Sequence, residues 1–421
     1  MEDFKPAPGL ETALHARLQK RLKNSTLRRL TTAPTGSIDF SSNDFLSLST
    51  SPLLRETFLS ELAAHPTFPL GSGGSRLLDG NSPYALALES TIATFHRAPA
   101  ALLFNSGFDA NAGVFACVPQ PGDVIVHDAL IHASVHDGMR LSRASKTLPF
   151  AHNDVDDLER ILTSLLASHP GLASGQTNGF IALESVYSMD GDIAPLAAIT
   201  TLTSTLFPHR NAHIILDEAH GTGVLGPQGR GLVCALGLEN RIFARLHTFG
   251  KALAAGGAAV LCSPLVREYL VNYARPLIYT TFMPFPSLAG VRAAYGLLES
   301  GATKPLVKHL TALTAYMHAL LLGLLGRYKQ YPNLARTLSV AADPPPSPIF
   351  SLQTEHPRSL AAWCQEGGFV VRAVVPPTVP TRRVRVCLHA GNSREEVEAL
   401  VASIEEWVKG RLEGESGRAK L

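Results

Sequence analysis

Between residues 100 and 263, short apolar runs alternate with stretches whose apolar positions recur every three or four residues. The runs are "AALLF" from 100, "DVIVHD" from 123, "GFIALES" from 179, "HIILDEA" from 213 and "GAAVLCS" from 257. Their length and β-branched content predict strands, and the periodic stretches 155–167 and 194–206 predict helices. Strands alternating with helices imply an α/β fold with a mostly parallel sheet covered on both faces. In such a fold, functional side chains belong in the loops beyond the carboxyl ends of the strands. Upstream, 12–30 carries apolar residues at helical spacing among basic ones, and "SIDFSSNDFLSLS" (37–49) reads as a strand followed by a turn. Downstream, a long helical stretch over 286–328 gives way to the proline-rich "AADPPPSP" at 341–348. Strand-like "PIFSLQ", "FVVRAVV" and "RRVRVCL" follow, mixed with helices, the last at 393–411. The expected organisation is an N-terminal helix and strand segment (1–45), a large domain (46–285) and a smaller α+β C-terminal domain (286–421).

Length and composition agree with that division. A chain of 421 residues exceeds what one core usually accommodates, and 45% hydrophobic with 17% charged residues suits a sizeable buried interior. A formal net charge of +2 gives no global reason to expect nucleic acid or an anionic membrane as partner. Cysteines at 117, 234, 262, 364 and 387 are odd in number and lack metal-ligand spacing, so reduced thiols in an intracellular compartment are expected. The N-terminal segment has no uninterrupted apolar run, so no secretory signal is expected. The longest apolar stretch, "ALLLGLLG" (319–326), is too short to span a bilayer, which predicts no membrane insertion.

The chemistry gathers at three strand ends. "HIILDEAHGTG" closes a strand with Asp217 and places His220 three residues on. Alone, such an acid is as well read as a helix cap. "HTFGKALAAGG" (247–257) then sets one ammonium, Lys251, among small and nearly uncharged residues, either as an exposed loop lysine or as an amine nucleophile. Carboxylate, imidazole and lysine at neighbouring strand ends suit pyridoxal 5′-phosphate (PLP). That cofactor needs an amine partner, an anion facing its pyridine nitrogen and a donor near its ring oxygen. "FNSGFDAN" (104–111) supplies a glycine turn opening a helix, a place where backbone N–H groups receive a phosphate.

These segments, with "DFSSNDFLSLS", "GSGGSRLLDG", "HASVHDGMRLSRA", "SVYSMDGD", "DEAHGTGVLGPQGRG" and "PPTVP", resemble the α-oxoamine synthases over nearly the whole chain. Within them, "FAHND", "TFGKA", "GAAVLCS" and "IYTTFMP" resemble the branch that condenses L-alanine with pimeloyl-CoA for biotin. The resemblance implies PLP fold type I (aspartate aminotransferase-like) and a PLP-dependent acyltransferase. It makes Lys251 the cofactor-bearing lysine and the base at Cα, with Asp217 on the pyridinium. His220 and Ser188 would lie near the ring oxygen and His132 would stack on the ring. Gly107, Phe108 and Thr248 would hold the phosphate, with Thr280 and Thr281 reaching it from the second subunit of a homodimer. Arg385 would grip the amino-acid carboxylate, Asn43 and Thr378 would contact substrate, and Arg28 would meet the far carboxylate of the acyl chain. No metal is implied. Ala85, Ala254, Phe285 and "HAGN" (389–392) depart from the family pattern without removing a catalytic group. Two rivals are another amino-acid and acyl-CoA pair and a non-catalytic partner subunit; Lys251, Asp217 and His220 weigh against the second. Finally, Ala419-Lys420-Leu421 resembles the S-K-L address read by the peroxisomal import receptor, which predicts a peroxisomal location.

Overall fold

The computed structural model describes residues 8–24, 26–376 and 378–418. The chain divides into an N-terminal unit ending at Ser37 and one compact unit from Ile38 onward. The first holds the helix Pro8–Lys23, shorter than the periodicity over 12–30 suggests. Its last turn is basic (Lys20, Arg21, Lys23), which suits a helix C-terminus.

The compact unit is built on a seven-stranded sheet. Its strands are β2 (Ala100–Phe104), β3 (Val124–Asp128), β4 (Lys146–Phe150), β5 (Gly179–Glu184), β6 (Ala212–Asp217), β7 (Ala244–Thr248) and β8 (Ala258–Cys262), following the two-residue β1 (Ile38–Asp39). Their order is β2-β8-β7-β6-β5-β3-β4, and only β8 runs against its neighbours. β3, β5 and β8 are buried throughout, as the continuous apolar runs of a doubly covered sheet require. Two apolar clusters lie against it, one around Ile125, Phe180, Ile215 and Val260 and one around Val126, Ile181, Leu183 and Leu216. These are alternate residues of the same strands, so the two clusters occupy opposite faces.

The C-terminal portion carries an antiparallel sheet of β9 (Ile349–Gln353), β11 (Arg372–Val374) and β12 (Arg383–Cys387), ordered β11-β12-β9. β10 (Phe369–Val370) pairs with β1, which ties Ile38 and Asp39 to the C-terminal portion. The helical stretch over 286–328 is two helices, Phe285–Ser300 and Lys304–Arg327. Gly301 separates them with φ +77°, the left-handed cap that glycine adopts at least cost. The second helix is long and apolar enough for a membrane by length and composition alone. It buries Leu310, Leu313, Met317, Leu321 and Leu324, a stripe at helical spacing, in the protein core.

Candidate active site

β6 and β5 lie in parallel register and end side by side on Asp217 and Glu184. Asp217 is 7% exposed. Its Oδ2 accepts the Asn111 Nδ2–H at 2.7 Å, and its Oδ1 accepts the Ala219 N–H at 2.9 Å. Asn111, on the helix Gly107–Cys117, also donates to Ser134 Oγ at 3.0 Å. The adjacent Glu218 serves the fold instead. Its carboxylate accepts the N–H groups of Leu232 and Val233 at 2.8 and 2.9 Å, holding the start of the helix Leu232–Leu236. Of the two neighbouring acids, Asp217 faces the chemistry.

Lys251 follows β7 in a turn closed by the Ala255 N–H on the Phe249 carbonyl and the Ala254 N–H on its own carbonyl, both at 3.0 Å. It is half-buried. Burial lowers its ammonium pKa; Asp217 and Glu184 oppose that shift, and Arg385 adds to it. A lysine with a lowered pKa supplies the free amine that a nucleophile or base needs. Burial also holds the His220 pKa well below its usual range, reinforced by Lys251, Arg385 and His132. Its Nδ1 is buried without a partner among the described residues, and the Phe45 ring packs 5.9 Å away. His132 caps the helix Ala133–Leu141, accepting the Ser134 N–H on Nδ1 at 3.2 Å. Its pKa too is lowered by burial, with Asp217 opposing and Lys251 assisting, while the residue as a whole stays exposed. Lys251, Asp217, His220 and His132 thus lie within electrostatic reach of one another.

The helix Gly107–Cys117 opens beside them. Ser106 Oγ accepts the Asp109 N–H at 3.0 Å, and the Gly107 and Phe108 amides precede the helix's own hydrogen-bond ladder. Thr248, the last residue of β7, presses against Gly107: a Cβ there would lie 2.2 Å from Thr248 Oγ1. The glycine is needed for the space it leaves. Helix N-terminus and hydroxyl together form an anion cradle. Arg385, on β12, is 8% exposed. It donates from Nε to the Ser188 carbonyl at 2.6 Å, from Nη1 to the Ser41 carbonyl at 3.3 Å and from Nη2 to Asn43 Oδ1 at 2.8 Å. A guanidinium has five N–H groups, so one on each Nη is left over for a carboxylate.

Thr280 and Thr281 are exposed, and the Thr281 carbonyl accepts from Asn105 Nδ2 at 2.7 Å. Thr378 is exposed, its N–H on the Val375 carbonyl at 3.1 Å. Arg28 is exposed in the N-terminal unit. Ala254 takes φ +50°, a left-handed conformation that glycine would adopt more readily. Phe285 joins Phe68 and Tyr84 in an aromatic cluster with ring centroids 4.7 Å apart. Glu184 and Asn111 escaped sequence reasoning. Glu184 is 3% exposed, with Oε1 unpartnered among the described residues, and burial raises its pKa well above normal, helped by Asp217 and opposed by Lys251. Two adjacent parallel strands each ending in an acid was the available signal.

The residues fit PLP: a buried carboxylate at a strand end, an orphaned imidazole nitrogen, a half-buried amine and a helix N-terminus beside a threonine. The family model for aminotransferase class I and II matches residues 35–404. The chain belongs to this family. It is 52% identical to 8-amino-7-oxononanoate synthase of Emericella nidulans over 97% of this chain and 98% of that one. It is 41% identical to aminoacyl transferase sphA of Aspergillus fumigatus, covering 99% and 91%. Its fold matches serine palmitoyltransferase of S. paucimobilis bound to a PLP–myriocin adduct, with TM-score 0.79 and 24% identity over 97% and 99% of the two chains. The expected α/β, PLP fold type I architecture is the one found. The chain is an α-oxoamine synthase, a PLP-dependent acyltransferase.

Proposed function

We propose that the chain condenses L-alanine with pimeloyl-CoA to give 8-amino-7-oxononanoate, CoA and CO₂, a step of biotin biosynthesis. The observation that carries this reading is the 52% identity to an 8-amino-7-oxononanoate synthase over almost the full length of both chains. PLP, when bound through Lys251 and faced by Asp217, supplies a ring that withdraws electrons from the amino-acid Cα. Arg385 receives the alanine carboxylate on its two remaining N–H groups and so holds the amino acid in one orientation at the site. Lys251, with its lowered pKa, takes the Cα proton. The deprotonated Cα attacks the thioester carbonyl and CoA departs. The carboxylate then leaves as CO₂, and Lys251 returns a proton to Cα. Burial lowers the pKa of both His132 and His220, which keeps their imidazoles neutral beside that amine.

The 41% identity to an aminoacyl transferase sphA supports a second reading within the same chemistry, a different amino-acid and acyl-CoA pair. Assay of the purified holoenzyme with an amino-acid panel against several acyl-CoA thioesters separates the two. Turnover confined to alanine and pimeloyl-CoA supports the first, and preference for another pair refutes it. Lys251→Ala should abolish condensation under either.

Exposed Thr280, Thr281, Tyr279, Leu70 and Leu78 support a homodimer in which the two threonines reach the partner's phosphate site; a monomer with full activity would refute that. Ala419-Lys420-Leu421 lies outside the described residues. Its sequence supports a peroxisomal location, tested by whether a reporter with this ending becomes punctate and disperses when Leu421 is deleted.

A further inference from the structure

Behind the active site, His152 stands between two carboxylates. Its Nδ1 lies 2.8 Å from Asp128 Oδ1 and its Nε2 lies 2.8 Å from Asp192 Oδ2. Asp128 closes β3 and is fully buried, whereas Asp192 is partly open. A neutral imidazole donates from only one nitrogen, so donation to both carboxylates requires the imidazolium. The two carboxylates accordingly raise the His152 pKa to about 10 against the opposing effect of burial. Asn153 repeats the link: its N–H reaches Asp128 Oδ2 at 2.9 Å and its Nδ2 reaches Asp192 Oδ2 at 2.7 Å. The Tyr187 ring meets His152 edge-on at 4.5 Å.

The bridge fastens a tight turn, Tyr187–Asp192. Within the turn the Tyr187 N–H bonds the Asp192 carbonyl at 3.0 Å and the Gly191 N–H bonds the Tyr187 carbonyl at 2.8 Å. The far side of the turn engages the C-terminal antiparallel sheet. Ser347 Oγ donates to the Gly191 carbonyl at 2.7 Å, and Arg383 of β12 pairs with Asp190. Gly191 has φ +77°, and a Cβ there would lie 2.2 Å from the Ile349 carbonyl oxygen, so the turn sits flush against β9. Its Ser188 carbonyl receives Arg385 Nε at 2.6 Å, the shortest of the three bonds that orient the guanidinium. The same Asp128 accepts the Leu130 N–H at 2.7 Å, at the base of the loop leading to His132.

We infer that His152, bridging Asp128 and Asp192, is a positioning residue for the amino-acid substrate: it fixes the Tyr187–Asp192 turn, whose Ser188 carbonyl aims Arg385 at the substrate carboxylate. This rests on the reading that Arg385 binds that carboxylate. The bridge touches neither substrate nor reacting atoms. It acts through Arg385, so its removal should be felt in amino-acid affinity before it is felt in cofactor retention.

The test uses the holoenzyme with His152→Gln, Arg385→Ala and the double variant. Glutamine offers a neutral donor to one carboxylate and cannot span both. The alanine dissociation constant is read from the shift in visible absorbance on binding, PLP affinity by equilibrium dialysis and folding by urea midpoint. His152→Gln should weaken alanine about tenfold, in the range of couplings within one hydrogen-bond network, while PLP affinity changes less than about threefold. In the double variant His152→Gln should add nothing to the loss caused by Arg385→Ala, a non-additivity that general destabilisation would not produce. If Arg385→Ala weakens alanine and His152→Gln does not, the positioning role is overturned with the Arg385 reading intact. If Arg385→Ala leaves alanine affinity unchanged, the Arg385 reading fails and the inference with it. Equal loss of alanine and PLP affinity by His152→Gln, additive with Arg385→Ala, also overturns it. Should His152→Gln not fold, Asp192→Ala removes the solvent-side half of the bridge and is judged by the same three readouts.

Discussion

Gly107→Ala is the smallest change that reaches the cofactor site, since it adds one methyl group. In the structure that methyl would stand 2.2 Å from Thr248 Oγ1 and 3.2 Å from both Cβ and Cγ2 of the same residue. Gly107 is not in the left-handed region, so backbone strain is no part of the cost. Thr248 has two ways to yield. Its χ1 can rotate until Hβ faces the new methyl, which carries the hydroxyl away from the helix N-terminus. Alternatively the end of β7 shifts, and the turn that begins two residues before Lys251 shifts with it. An extra methylene in a packed site typically costs about 1–3 kcal/mol. If that cost falls on the cofactor-binding geometry, PLP affinity drops roughly 5- to 140-fold, at 1.4 kcal/mol per factor of ten.

The assay is a PLP titration of apo-protein followed by absorbance, with a urea melt of the same apo-protein alongside. The urea midpoint should move little, because the hydroxyl has room to rotate when no phosphate demands its position. Gly107→Ala combined with Thr248→Ala removes Oγ1 and Cγ2. The 2.2 Å clash disappears and only the 3.2 Å approach to Cβ remains, but the hydroxyl is lost too, so the double variant should bind PLP about as well as Thr248→Ala alone. Wild-type affinity in Gly107→Ala would refute the cradle. So would losses in the two single variants that simply add.

Four further outcomes are expected. Glu184→Gln should flatten the pH dependence of apo-protein stability: the folded state holds the Glu184 proton above its ordinary pKa, so wild-type stability falls as pH rises from about 4.5 toward the raised value, and urea midpoints across pH check this. Asn111→Ala removes the 2.7 Å donor to the Asp217 carboxylate and should cost about 1–3 kcal/mol in apo-protein unfolding free energy, read by urea titration. Glu89→Ala leaves Arg76, buried within the loop 71–80, without its ion partner and should destabilise by about 3–5 kcal/mol, visible as a lowered urea midpoint. Ala254→Gly relieves the φ +50° strain three residues after Lys251 and should raise the urea midpoint, by about 0.5–1 kcal/mol once the entropy of glycine is counted.

How much of this was legible depends on how local each signal is. β2, β3, β5, β6 and β8 stand out because buried strands of a covered sheet are continuous apolar runs. β4 does not, because an edge strand can carry Lys146 and Pro149 without burying either. β7 reads only as β-like because its buried positions include Arg245 and His247. Each satisfies a polar atom inside the core, Arg245 with the His96 carbonyl at 3.0 Å and His247 with the Thr222 hydroxyl at 2.9 Å. The pairing of β1 with β10 joins segments more than three hundred residues apart and leaves no trace in either.

The candidate site divides in the same way. Asp217 and His220 are visible because they sit at and just beyond the end of a recognisable strand, and Lys251 because it is a lone ammonium among small residues after a β-like one; strand ends are where an α/β sheet concentrates its chemistry. The groups that aim them are hidden. Arg385 is oriented by atoms of Ser41, Asn43 and Ser188, two of them backbone carbonyls that any residue could supply, so side-chain identity carries little of the information. His152 shows only as part of the "FAHND" motif, with nothing in it to indicate a role. Its importance comes from two carboxylates, 24 residues before it and 40 after, which the parallel strands β3 and β5 bring to the same end of the sheet. The sheet order therefore decides which polar residues meet, and that order is a property of the whole chain that no single segment encodes.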